Sequence, residues 1–211
     1  MLKKWRVGVR THEDEEFLSN KAEEWEHKSK KETIGIIAQK FRETPNSMIL
    51  AFKNERIGVL NRELTHHLYP KSALYDVADS RYNIKDGETH QSHKTLYQVA
   101  RGSRIIINQT DHNHPELVNG EMCTVNSIQA KDTRVINMSV TVDSSQKTVP
   151  FAATASTMLR TLQSWTVKFH MQPAYALTYH KSQGRTLDTV FLDTFPCLGD
   201  SMFYTYGCKR I

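Results

Sequence analysis

No glycine-rich phosphate cradle is present: neither G-x-x-x-x-G-K-[S/T] nor G-x-G-x-x-G occurs in the 211 residues. The chain therefore builds neither of the common nucleotide-phosphate loops from its own residues. Cysteine is scarce, with only Cys123, Cys197 and Cys208, scattered and odd in number. That excludes a disulfide framework, and the lack of any C-x-x-C spacing argues against a structural zinc site. Reduced, buried thiols in an intracellular compartment are expected. No apolar run approaches the roughly 18–20 residues of a membrane helix, and Met1-Leu-Lys-Lys-Trp-Arg6 has no apolar core of a signal peptide. No membrane partner is expected. Internal repeats and low-complexity tracts are also missing. What remains is the composition of a folded protein, 38% hydrophobic and 24% charged. A net charge of +5 tilts it mildly toward polyanionic partners.

The most informative stretch runs from Pro173 to Asp188, followed by Thr189-Val-Phe-Leu-Asp193. Ala174–Leu177 is a short apolar run of the kind that a buried parallel strand shows. Polar side chains then crowd together: Thr178, His180, Lys181, Ser182 and Gln183, with Gly184 allowing close backbone approach. Thr189–Leu192 is apolar again. Open α/β sheets place ligand sites in such clusters, at the carboxyl ends of buried strands.

Upstream, Glu13 to Lys31 reads as a charged amphipathic helix carrying Phe17, Leu18, Ala22 and Trp25, and Ile34–Phe41 as a second short helix. Thr44-Pro45-Asn46 is a turn and Ser47–Phe52 a buried strand. Asn54 is placed as the N-cap of a helix ending at Pro70, with Ile57, Leu60, Asn61, Leu64 and Leu68 on one face. Strand, Asn and amphipathic helix make half of an α/β repeat. Ala73–Asp79 is another strand candidate, and residues 80–93 are polar enough to be assigned no structure. From Gly102 the character changes. Ser103–Asn108, Met122–Ile128, Arg134–Val142 and Lys147–Phe151 are short strands separated by turn residues. Such spacing predicts a small β-barrel module inserted into an α/β domain. Trp165–Phe169 returns to a strand. Arg101, Arg104 and Asn108 near these strands are either contacts for a nucleic-acid strand or, as exposed charges more often are, solubilising groups. Asp111-His-Asn-His114 looks like a metal cluster, but two histidines are too few ligands, and the stretch reads as an exposed loop leading into the Asn119-Gly120 turn.

Ala174–Asp188, with the preceding Gln172-Pro173, resembles motif V of superfamily 1 helicases of the RecD/Dda-like 5′→3′ branch. Other segments of that branch follow in order. Arg10–Phe17 is similar to the segment near motif IV, and Met48–Asn54 with Val59–Asn61 to the strand–Asn–helix of the second RecA-like domain. Gly102–Asn108 with Leu117–Val125 is similar to the opening of the SH3-like insertion, and Phe203–Arg210 stands where motif VI lies. The resemblance covers essentially the whole chain, with Cys123 standing where the barrel motif usually has Gly.

The resemblance implies an α/β RecA-like lobe of the P-loop-NTPase type, a parallel sheet with flanking helices, holding an inserted SH3-like β-barrel. Residues 1–100 and 165–211 are expected to form the second motor lobe and 101–164 the barrel. The partner lobe would carry the phosphate loop and the acidic Mg²⁺ motif, so ATP and Mg²⁺ would be held mainly there. Single-stranded DNA is the expected partner, with RNA left open, because backbone grips are largely blind to base. Thr178, His180, Lys181, Ser182 and Asn54 would hold the strand, while Gln183, Gly184 and Arg185 would face nucleotide. Motif VI should supply an arginine finger to the γ-phosphate. Lys209 aligns with the family's Arg, and a point charge replaces a planar fork poorly. Either Arg210 takes the role by a one-residue shift or the motor is impaired. The motif IV finger is Arg6 or Arg10. Such a chain alone is expected not to hydrolyse ATP. Two other readings stay open: a non-catalytic single-strand-binding module, and an α/β interaction scaffold.

Overall fold

The computed structural model describes His12 and residues 22–24, 30–85, 88–157, 164–183, 185–194 and 202–207. The elements, in chain order, are β1 (Ala22–Glu24), α1 (Lys30–Glu43), β2 (Ser47–Ala51), α2 (Asn54–Leu68), β3 (Tyr75–Lys85), β4 (Glu88–Val99), β5 (Arg104–Ile107), β6 (Met122–Lys131), β7 (Arg134–Val142), β8 (Thr148–Ala152), β9 (Thr154–Thr157), β10 (Ser164–Lys168), β11 (Met171–Pro173), β12 (Ala176–Thr178), α3 (Tyr179–Ser182), β13 (Thr189–Thr194) and β14 (Met202–Gly207). They form two compact units, residues 1–60 with 176–211 and residues 61–175.

The first unit is a five-stranded sheet in the order β1-β14-β13-β2-β12. The three strands β13, β2 and β12 run parallel, and Met48, Ile49, Ala51, Ala176, Leu177 and Phe191 on them are fully buried. Continuous apolar runs are what parallel strands covered on both faces require. Helix α1 supplies cover. Ile34, Ile37, Ala38 and Phe41 recur at helical spacing and are buried, and the Phe41 ring stacks on Phe191 at 5.9 Å. Glu32 in its first turn and Lys40 and Arg42 in its last complement the helix dipole. Pro45 follows the end of α1, where a continuing helix would lack a donor.

Several expectations change here. Ala22–Glu24 lies in a strand, not a helix, because its backbone pairs antiparallel with β14, and three residues on a sheet edge need no amphipathic period. The remainder of the expected Glu13–Lys31 helix lies outside the described residues, apart from Lys30 and Lys31, which open α1. Phe52 leaves the strand and stands 72% exposed. The hydrogen-bond ladder of α2 begins one residue before Asn54, with the Ile57 amide donating to the Lys53 carbonyl at 3.2 Å. Asn54 therefore sits in the first turn instead of capping it. Ile57, Leu60, Asn61 and Leu64 are buried as the spacing predicts.

The second unit is a nine-stranded sheet, β11-β5-β6-β7-β3-β10-β9, with β4 on β3 and β8 on β7. Nearly every pairing is antiparallel, and one face closes on a core of Val77, Val99, Ile105, Val125, Val140 and their neighbours. Residues 80–93 are not irregular. They belong to a long β3–β4 hairpin with a bulge at Arg81/Tyr82. Polar strands of this kind persist because their backbones pair and a few side chains anchor them. Tyr82 stacks on Trp165 at 5.4 Å, and Gln91 donates to the buried Ser80 hydroxyl at 3.0 Å. Trp165 itself lies on β10, which pairs with β3 and β9 in this sheet. This compact unit spans residues 61–175 and so contains the β3–β4 hairpin and Trp165. Gly102 and Gly120 adopt φ of +84° and +90°, a region open to Gly at little cost. Both make tight turns, the Gly102 amide reaching the Val125 carbonyl and the Gly120 amide that of Ile107.

Candidate nucleic-acid interface

Three parallel strands stop in one row. Thr178 of β12 and Asp193 of β13 both pair with Ala51 of β2. The chain leaves β2 through Phe52, Lys53 and Asn54, and leaves β12 directly into α3. Asn54 and the Thr178–Ser182 segment therefore meet at the carboxyl edge of adjacent strands, where open sheets carry ligand sites.

Local hydrogen bonds shape the turn that follows β12. Thr178 is extended (φ −71°, ψ 152°) and its hydroxyl oxygen accepts from the Lys181 amide at 3.2 Å, an N-cap arrangement. The Ser182 hydroxyl donates to the Tyr179 carbonyl at 2.8 Å. Arg185 closes the turn, its amide on the Ser182 carbonyl at 3.1 Å and its Nε on the Lys181 carbonyl at 3.2 Å. These bonds divide the predicted residues. Thr178 uses its oxygen as an acceptor and keeps its hydroxyl hydrogen, whereas Ser182 has given its hydrogen to the backbone. His180, Lys181 and Gln183 are exposed, and Arg185 is half-buried. Beyond the turn, the chain crosses from β12 to β13, the two neighbours of β2. Asn46, at the amino end of β2, catches it there. Its side-chain amide donates to the Thr186 carbonyl, and its own carbonyl accepts from Asp188, both at 3.2 Å.

An ion pair with a buried carboxylate at the same edge has little signal in the amino-acid pattern. Asp193 is 1% exposed, and Arg56 approaches it through Nε at 2.8 Å and a second guanidinium nitrogen at 3.4 Å. A carboxylate that leaves water this fully must be paired and hydrogen-bonded. The pair joins the end of β13 to the first turn of α2, and so fixes the position from which Asn54 projects. The one hint was a charge ending the apolar run Thr189–Leu192.

The finger candidates Arg6, Arg10, Lys209 and Arg210, and Gly184 of the nucleotide-facing set, lie outside the described residues. In the second unit, Asp111–His114 forms part of the loop between β5 and β6, held by the Asn113 amide on the Asp111 carboxylate at 2.9 Å. Arg101 is exposed, and Arg104 and Asn108 are half-buried. Asn61, fully enclosed in α2, accepts the Tyr175 amide at 2.9 Å. The Tyr175 hydroxyl receives the Arg104 amide at 3.2 Å and donates to Tyr69 at 3.3 Å. Burial, reinforced by Tyr69, holds the Tyr175 phenol well above its usual range. Burial also pushes the Cys123 thiol up to about 12, with Asp143 and Glu121 adding to it, and the side chain packs in the core of this unit. Among the described residues no three His, Cys, Asp or Glu side chains gather as metal ligands, and no described helix is long and apolar enough to cross a membrane.

No protein-family model and no curated protein sequence matches the chain. Solved structures do. The Pif1 helicase of Candida albicans superposes with a TM-score of 0.63 at 15% identity, covering 93% of this chain and 47% of that one. Bacteroides Pif1 bound to ssDNA gives 0.61 at 15% identity, covering 90% and 41%. Bacteroides sp Pif1 with ADP-AlF4 gives 0.57 at 14% identity, covering 92% and 42%. This chain spans less than half the length of each. At such identity the likeness is one of fold, and the chain has the mixed α/β arrangement of RecA-like helicase domains.

Proposed function

We propose that this chain is the second motor lobe, with an SH3-like insertion, of an ATP-dependent 5′→3′ DNA helicase. The carrying observation is the single carboxyl edge to which β2 and β12 deliver Asn54 and the Thr178–Ser182 turn. In this reading His180, Lys181 and the Thr178 hydroxyl donate to successive phosphates of single-stranded DNA, gripping backbone without reading sequence. Fold likeness to a Pif1 structure bound to ssDNA supports it. Exposed Gln183 and the Arg185 guanidinium suit the phosphates of a nucleotide presented by a partner lobe, and Arg210 or Lys209 and Arg6 or Arg10 are the finger candidates. ATP would supply the free energy for movement. On this chain, the crossover 179–188 would link the nucleotide side to the strand side.

The test is a salt titration of a labelled single-stranded oligonucleotide binding to the full chain. His180→Ala with Lys181→Ala should weaken binding for all sequences alike and flatten the salt dependence by roughly 0.7 in log–log slope per lost phosphate contact. Unchanged affinity and slope would sink the reading. Lys209, standing where the family has Arg, favours a second possibility: a module that grips the strand but drives nothing. Mixing the chain with a phosphate-loop lobe separates the two, since only a motor half restores hydrolysis.

A further inference from the structure

Two of the large apolar side chains left exposed stand together at the candidate edge. Phe52 is 72% exposed, more than Ile136, Leu96, Val118 or Tyr179. Tyr179 is 37% exposed and, with Phe52, is the only other such residue in its unit among those described. They are not scattered. Phe52 directly follows Ala51, Tyr179 directly follows Thr178, and Ala51 and Thr178 are paired partners on adjacent strands. Neighbouring strands lie about 4.8 Å apart, so the two residues follow adjacent strand ends at one edge of the sheet. Among the described residues, exposed Lys53, His180 and Lys181 lie next to them in the chain, with the exposed carboxylate of Glu55 beyond Asn54.

We infer that Phe52 and Tyr179 form a stacking platform for an unpaired nucleobase, beside the groups that take its phosphate. This rests on the strand-gripping reading and adds to it a contact with the base. An aromatic face accepts any base, so the platform adds affinity with little sequence preference. The surrounding positive charge selects a polyanion over an apolar protein segment. The packing of the protein itself does not explain Phe52, which leaves β2 instead of extending its buried run.

The full chain is titrated with a single-stranded oligonucleotide and with an abasic deoxyribose-phosphate strand of equal length. Phe52→Ala should cost about tenfold on the strand with bases, in line with stacking worth roughly 1–3 kcal/mol per base. It should leave the abasic strand and the salt slope unchanged. Phe52→Trp should hold or tighten binding, and Phe52→Leu should behave like Phe52→Ala. Equal loss on both strands, or no loss in any Phe52 variant while Lys181→Ala weakens both, overturns the platform and leaves the phosphate grip standing. No loss would assign the exposed edge to a protein contact. Failure of the unmodified chain to bind either strand removes grip and platform together.

Discussion

In residues 61–175 polar side chains stand along the strands, while in the other unit they gather where strands stop. The Ser127–Ser139 and Thr141–Thr148 hydroxyl pairs bridge neighbouring antiparallel strands at 2.7 and 3.0 Å on exposed positions. An antiparallel sheet with one solvated face can carry such residues anywhere along its length. Strands β2, β12 and β13 have no such freedom. Both faces are covered, so hydrogen-bonding groups are pushed to the ends, and one row ends in Thr178, Ala51 and Asp193. Polarity in the first arrangement is cheap and carries little chemistry. In the second it is concentrated at one edge, which is what the proposed strand grip requires.

The sharpest way to break that contrast is at Asp193. Asp193→Ala leaves the half-buried Arg56 without its carboxylate, and losing one partner of a buried pair costs up to about 3–5 kcal/mol. Urea unfolding should show a fall of that order, whereas Ser139→Ala on the antiparallel sheet should shift stability by less than about 0.5 kcal/mol. Comparable effects at both positions would erase the distinction. Asn61 supplies the intermediate case. Asn61→Leu keeps the helix but orphans the Tyr175 amide, which should cost about 1–3 kcal/mol in the same measurement.

The smallest effect is expected at His170, in the turn between β10 and β11. Its φ is +49° and its carbonyl accepts the Asn108 amide at 2.7 Å. Burial lowers its pKa, Asp79 opposes that and Lys168 adds to it. The unfolded chain takes up this proton near pH 6.5, before the folded chain does. Stability is therefore full above that pH and falls as pH drops through the folded value. His170→Asn tolerates the positive φ and has no such proton, so its urea midpoint should fall less between pH 7 and pH 5 than that of the unmodified chain.

How much of this was legible follows from the same contrast. Buried runs such as Ser47–Ala51 and the helical spacing of Ile57, Leu60, Asn61 and Leu64 declare themselves, because apolar period is set by burial. So does a polar cluster after a buried strand, which is why Thr178–Gln183 stood out. The β3–β4 hairpin did not, since Arg81 to His93 is polar on strands held by backbone pairing. The Arg56–Asp193 pair joins positions 137 apart, and no local pattern encodes a partner at that range. Trp165–Phe169 reads as a strand but carries no mark of which sheet it will join.

Asn46 has a consequence for the crossover it catches. The end of β12 and the start of β13 stand about 16 Å apart across the sheet, and residues 179–188 can reach about 26 Å with their single helical turn intact. The segment is thus a tether with about 10 Å of slack. Held to a strand at each end, it cannot swing clear of the sheet. The Asn46 bonds to Thr186 and Asp188 fasten its far end to the sheet at β2.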